Sequence, residues 1–232
     1  METLYNGFTL EIAPGTFPLS SDSMALADFV RLPKRASVLD LGSGCGTLGI
    51  LLCAKDPACS VTGIELSENA HAMALKNRDA NQLHSRLASI CGDIAKITAL
   101  VSPGSFEVCV SNPPYFTAGF LSKSTPMARH EEYCSLDTLM AGAAYALKFG
   151  GDFYLVHKPE RLAELFAAAC KHKLEPKRLR LLRHKENGPV ALILLQCRKG
   201  GKPGLLWEEV SLQDSQGGPT NYYRKLYHQE ES

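Results

Sequence analysis

The sequence predicts an α/β fold: seven strands in a mostly parallel sheet, one antiparallel strand at an edge, and helices on both faces. Three observations carry this expectation. Apolar runs of strand length alternate with helix-length segments from Ser37 to His172. A glycine-rich turn, Asp40-Leu-Gly-Ser-Gly-Cys-Gly46, joins the first run to a helix. Asn187-Gly188 separates two late runs in the manner of a hairpin.

Residues 1–20 read as a short irregular or β-containing lead, interrupted by Pro14, Gly15 and Pro18. A helix capped by Ser20 or Ser21 follows, with Met24, Leu26, Ala27 and Val30 as its apolar surface and Pro33 beyond its end. Strands are expected at Ser37–Leu41, Ser60–Ile64, Leu87–Cys91, Phe106–Ser111, Asp152–Val156, Pro176–Leu182 and Val190–Gln196, the last two as an antiparallel pair. Helices are expected at Thr47–Lys55, Ser67–Gln82 and Glu131–Leu147, the last closed by a C-cap in Lys148-Phe-Gly-Gly151. A further helix opens with Pro159 at its first position and runs to about His172. The polar segment 117–130 is the one long irregular stretch and is expected to form a substrate lid. The chain reads as a single domain, 1–232: a lead and helix to 36, a core over 37–200 and an extension over 201–232.

With 232 residues, 45% of them hydrophobic, the chain supports one substantial core. Neither a membrane-spanning apolar stretch nor a signal peptide is evident. The eight cysteines form no Cys-x-x-Cys pair and no zinc-ligand spacing, so they read as reduced thiols of a cytoplasmic protein without a metal, expected to be a monomer. Net charge is +1, but ten Lys/Arg against two acids lie between Lys171 and Lys202. Such a band steers a polyanion locally.

The glycine turn lets the backbone bend tightly and approach a ligand at Gly42, Gly44 and Gly46. Glu65, 25 residues after Asp40 with Leu66 beside it, ends the second strand and suits two ribose hydroxyls. Asp93, after the third strand, is placed for an adenine amino group, with Ile94 against the ring. A dinucleotide fingerprint reads Gly-x-Gly-x-x-Gly. Here the spacing is Gly-x-Gly-x-Gly behind an Asp, which suits a cationic amino-acid moiety and not a pyrophosphate. The pattern therefore fits S-adenosyl-L-methionine better than NAD.

Past the fourth strand stands Asn112-Pro113-Pro114-Tyr115. The Asn112 side-chain oxygen and the Pro113 carbonyl can accept the two hydrogens of a planar amino group, aim its lone pair and favour charge growing on nitrogen. Tyr115 stacks on the ring, and Phe116 widens that surface. The motif narrows the acceptor to a planar amino or amide nitrogen. A paired base would have to be turned out to reach it. Phosphate contacts are expected from Lys123, Arg129, His130, Lys158, Arg161, Lys177 and Arg178; with Arg180, Arg183 and Lys185 the late hairpin would form one basic stripe.

With these residues in view, the chain resembles the class I S-adenosylmethionine-dependent methyltransferases, which have a Rossmann-like fold. More narrowly it resembles the bacterial valine-tRNA adenine-37 N6-methyltransferase family. The resemblance covers roughly residues 15–232 and rests on Phe17-Pro-Leu-Ser-Ser-Asp-Ser23, the glycine turn, Asn112-Pro-Pro-Tyr-Phe116, Arg129-His-Glu131, His157-Lys-Pro-Glu-Arg-Leu162 and Lys199-Gly-Gly. It implies methylation of adenine N6 beside the anticodon of a tRNA, with Asp40, Gly42, Gly44, Glu65 and Asp93 holding cofactor and Asn112, Pro113 and Tyr115 holding the base. Relatives that methylate guanine N2 in ribosomal RNA share the acceptor motif. Those that methylate glutamine usually carry an N-terminal helical domain, for which the 36 residues before Ser37 leave no room. A non-catalytic RNA-binding module on the same fold is the alternative from another class.

Overall fold

The computed structural model describes residues 2–4, 7–13, 20–113 and 135–227. The lead forms a small antiparallel pair, β1 (Glu2–Thr3) with β2 (Thr9–Leu10). Then come α1 (Ser21–Phe29), β3 (Ser37–Leu41), α2 (Thr47–Lys55), β4 (Ser60–Glu65), α3 (Glu68–Ala80), β5 (Leu87–Cys91), a 3-10 segment at Ile94–Ala99 and β6 (Phe106–Ser111). The second half holds α4 (Leu136–Ala146), β7 (Leu147–His157), α5 (Leu162–Lys171), β8 (Leu174–Lys185), β9 (Val190–Lys199), β10 (Leu206–Gln213) and α6 (Asn221–Leu226).

One sheet of eight strands runs β10-β8-β9-β7-β6-β3-β4-β5. Strand β9 is antiparallel to both β7 and β8, and the other sheet pairings are parallel. The expected α/β class holds, with two corrections of detail. The sheet has one strand more than expected, because the extension supplies β10. The antiparallel strand therefore lies inside the sheet, since β8 returns to the parallel direction and β10 covers its outer side. Strand β10, Leu-Trp-Glu-Glu-Val-Ser-Leu-Gln, lacks the apolar run of an interior strand because it is an edge.

Alternation along each strand serves two cores. Val38, Tyr154, Val156, Leu182, Leu192 and Leu194 face α1, α2 and α6. Leu39, Leu41, Phe153, Leu155, Ile193 and Leu195 face α4 and α5. Burial on both faces is what a parallel sheet clothed in helices requires.

Helix α4 ends at Ala146, not at the double glycine. Gly150 and Gly151 lie inside β7, where the pairing with β6 shifts register between Phe106 and Val108. A Cβ on Gly151 would stand 2.9 Å from the Glu107 carbonyl, so this pair of glycines serves a bulge and a close backbone approach, not a helix cap. Ser67 does cap α3, its hydroxyl accepting from Ala70 N–H.

Candidate active site

After β3 the chain builds outward through β4 and β5, then returns to place β6 on the other side of β3. That reversal leaves a crevice at the carboxyl ends of β3 and β6, the place where open α/β sheets take ligands. Asp40 pairs with Val110, so two residues further on each strand Gly42 and Asn112 leave the sheet side by side. The Ser111 hydroxyl donates to Leu41 O at 2.7 Å and fixes this junction. The glycine turn and the acceptor motif, 66 residues apart at Gly46 and Asn112, are thus brought to one crevice.

Gly42, Gly44 and Gly46 have φ of 77°, 55° and 83°, the left-handed region that other residues seldom enter. Above Gly42 and Gly44 a Cβ would meet nothing within 4 Å. Among the described residues, no side chain fills the space directly over the turn.

Asp40 and Ser43 face a cavity of about 10 Å³ beneath the turn, shared with Gly46, Gly63, Ala74 and Ser89. Gly63 makes room for Ser43: a Cβ there would lie 2.5 Å from the hydroxyl oxygen. Both Asp40 carboxyl oxygens and Ser43 Oγ are buried and find no hydrogen-bond partner among the described residues. Burial, with the Glu65 charge adding to it, pushes the Asp40 pKa up to about 8. A buried carboxyl in this condition is suited to a cation or to a bridging water.

Glu65 ends β4, where its Oε2 accepts from Gly44 N–H and its Oε1 from Ser67 N–H, each at 2.8 Å. It ties the turn to the start of α3, and each carboxylate oxygen retains a further lone pair for a hydroxyl. Leu66 beside it is an exposed apolar side chain, 41% accessible. Asp93 caps the 3-10 segment through Ala95 N–H at 2.9 Å, and Ile94 is buried behind it. The sequence-predicted residues Asp40, Gly42, Gly44, Gly46, Glu65, Leu66, Asp93 and Ile94 therefore share one edge of the sheet.

Asn112 donates from Nδ2 to Ser23 Oγ at 3.0 Å. Ser23 lies in the first turn of α1 and is buried. Asn77, buried in α3, was not singled out by the sequence. It accepts from Glu11 N–H and donates to Glu11 O and to Cys45 O, so the lead and the glycine turn hang on one amide. Ser23 was legible as a polar residue on the apolar stripe it shares with Leu26, Ala27 and Val30. Asn77 carried no comparable signal.

Pro114, Tyr115, Phe116, Lys123, Arg129 and His130 lie outside the described residues, as does the expected lid over 117–130. Lys158 is exposed beyond β7, and Arg161 forms an ion pair with Glu164. The basic stripe is corrected. Arg178 donates to Glu208 and lies 4.3 Å over the Phe29 ring; Arg180 pairs with Asp28 and Glu208, and Arg183 with Glu209. Their i, i+2 spacing does put Arg178 and Arg180 on one strand face, but α1 and the extension cover that face. Lys177 donates to Lys202 O at the far end of the strand.

Residues 19–170 match the family model described as methyltransferase small domain. The chain is 33% identical over 155 residues to a protein of Porphyromonas gingivalis named tRNA1(Val) (adenine(37)-N6)-methyltransferase, a match covering 64% of this chain and 61% of that protein. It thus spans less than two thirds of that relative. A protein of the same name from Photobacterium profundum is 29% identical over 182 residues, covering 77% of this chain and 76% of its own. Among solved structures, a protein from Agrobacterium tumefaciens described as a predicted O-methyltransferase superposes with a TM-score of 0.75 at 20% identity, over 89% of this chain and 95% of that one.

Proposed function

Since the chain belongs to the methyltransferase small domain family, we propose that it transfers a methyl group from S-adenosyl-L-methionine to the exocyclic N6 of an adenine in tRNA, at position 37 of a valine tRNA. The observation that carries this reading is Asn112 beside Gly42 at the sheet's switch point, with no described side chain within 4 Å above Gly42 and Gly44. S-adenosylmethionine, when bound, supplies an electrophilic methyl on a sulfonium sulfur.

The chain's own residues do the rest. Gly42 and Gly44 leave room for the ligand close to the backbone, Glu65 would hold the ribose hydroxyls and Leu66 would offer apolar surface to the base. Asp40 offsets the positive charge of the amino-acid part, directly or through a water shared with Ser43. Asn112 Oδ1 and the Pro113 carbonyl accept the two amino N–H groups of adenine. This directs the nitrogen lone pair at the methyl and stabilises the positive charge that grows on nitrogen as the N–C bond forms. The surplus proton passes from nitrogen to water after transfer, so no strong base is needed. Tyr115 and Phe116 are assigned the stacking role on the motif alone. Adenine 37 lies in a loop, which lowers the cost of turning the base out to a few kcal/mol or less.

The names of the relatives support adenine over guanine N2 or glutamine as acceptor. The deciding experiment is nucleoside mass analysis of RNA from cells lacking this chain. Loss of N6-methyladenosine from one tRNA supports the reading. Loss of N2-methylguanosine from ribosomal RNA, or no change in RNA at all, refutes it.

A further inference from the structure

An amide that accepts from an amino group must present oxygen and not nitrogen. Asn112 carries both on one planar end, and a half-turn about its last torsion exchanges them with little change of shape. Turned the wrong way, Nδ2 would set a donor against the donors of the acceptor base. Something in the chain has to hold the amide in place.

We propose that Ser23 is the positioning residue that holds this amide: its hydroxyl accepts from Nδ2 at 3.0 Å, which anchors the Asn112 side chain in the arrangement that leaves Oδ1 on the opposite side. This rests on the methyl-transfer reading above and adds to it a residue that acts through Asn112. Ser23 is 6% exposed, so water does not compete freely for the bond. It also stands on a helix held at its far end. Lys55 Nζ donates to the carbonyls of Ala27, Asp28 and Val30 at 2.7–2.9 Å and closes the carboxyl terminus of α1. Asp28 is clamped by Arg180 and Lys225, each at 2.8 Å. The frame of α1 is thereby transmitted to the end of β6 across 89 residues of sequence.

The full chain is tested as Ser23→Ala, and as the shape-matched pair Ser23→Thr and Ser23→Val, with Asn112→Ala as reference. Methyl transfer to unmodified tRNA gives kcat and KM; calorimetry gives the S-adenosylmethionine Kd; thermal melting reports the fold. The expected result is a kcat about ten- to a hundredfold lower in Ser23→Ala, with cofactor Kd within about twofold of the native chain. Ser23→Thr should exceed Ser23→Val in kcat by about tenfold. The comparison within that pair holds even where both are less stable than the native chain. Equal kcat in Ser23→Thr and Ser23→Val, or native kcat in Ser23→Ala while Asn112→Ala is inactive, overturns the positioning role and leaves the methyl-transfer reading standing. Native kcat in Asn112→Ala overturns the methyl-transfer reading itself.

Discussion

Asp40 shows how one residue links the site to stability. In the unfolded chain its carboxyl titrates at its ordinary value of 3.8, and in the fold near 8. Between those values the folded state holds the extra proton, so unfolding becomes easier as pH rises, by up to about 1.4 kcal/mol per pH unit. Chemical denaturation of the ligand-free chain should show stability falling from pH 4 towards pH 8. Asp40→Asn should flatten that slope; an unchanged slope would assign it elsewhere. A cationic ligand reverses the preference. S-adenosylmethionine binding at pH 7 should release close to one proton, measured by calorimetry in buffers of different ionisation enthalpy. The residues that speak for a ligand were readable in the sequence because their chemistry is local: three glycines at alternate positions, and acids at strand ends. Ser23 and Asn77 were not assigned, because their partners lie 89 residues away at Asn112 and 66 residues away at Glu11.

At the scale of elements, α1 and β10 carry most of what the sequence left unread. Arg178 and Arg180 were expected to face phosphate. They instead lie under α1, against Phe29, with Glu208 from β10. Strand spacing gives the face on which a residue stands but not what covers that face. The cover comes from a segment whose two glutamates mask its strand character. The Asp28–Arg180 pair is 14% and 11% exposed and should matter to stability. Burial alone would raise the Asp28 pKa, but the bonds from Lys225 and Arg180 outweigh it and the net shift is downward. This contribution is present above the ordinary aspartate range and is lost as pH falls through the lowered value. Asp28→Ala should cost about 3 kcal/mol in urea unfolding, mainly because Arg180 is left buried with one partner fewer. A loss under about 0.5 kcal/mol, the level of an ordinary surface change, would mean that α1 is held by Lys55 and apolar contact alone.

Across the whole molecule, the sheet's reversal between β3 and β6 turns two separated motifs into one crevice. The strand and helix sequence was legible because period and punctuation agree over the central run, from Ser37 to Ser111. The outer half was less so: β9 and β8 were read as a pair, but their order in the sheet depends on contacts with β7 and β10 that no local signal encodes. The same layout separates the cations. Lys158 stands at the crevice edge of the sheet, while Arg178 is engaged beneath α1. Lys158→Ala should weaken tRNA binding and reduce the logarithmic salt slope by about one. Arg178→Ala should lower thermal stability and leave that slope unchanged; the opposite pattern would place the RNA on the β8 side.

Methyl transfer to a nitrogen held by Asn112 is the chemistry from which the rest follows. Its most direct test is incubation of the purified chain with unmodified valine tRNA and S-adenosylmethionine carrying a deuterated methyl, followed by nucleoside mass spectrometry. The heavy methyl should appear in N6-methyladenosine, and none should appear with Asn112→Ala. Heavy methyl in another nucleoside, or undiminished transfer by Asn112→Ala, would contradict that chemistry.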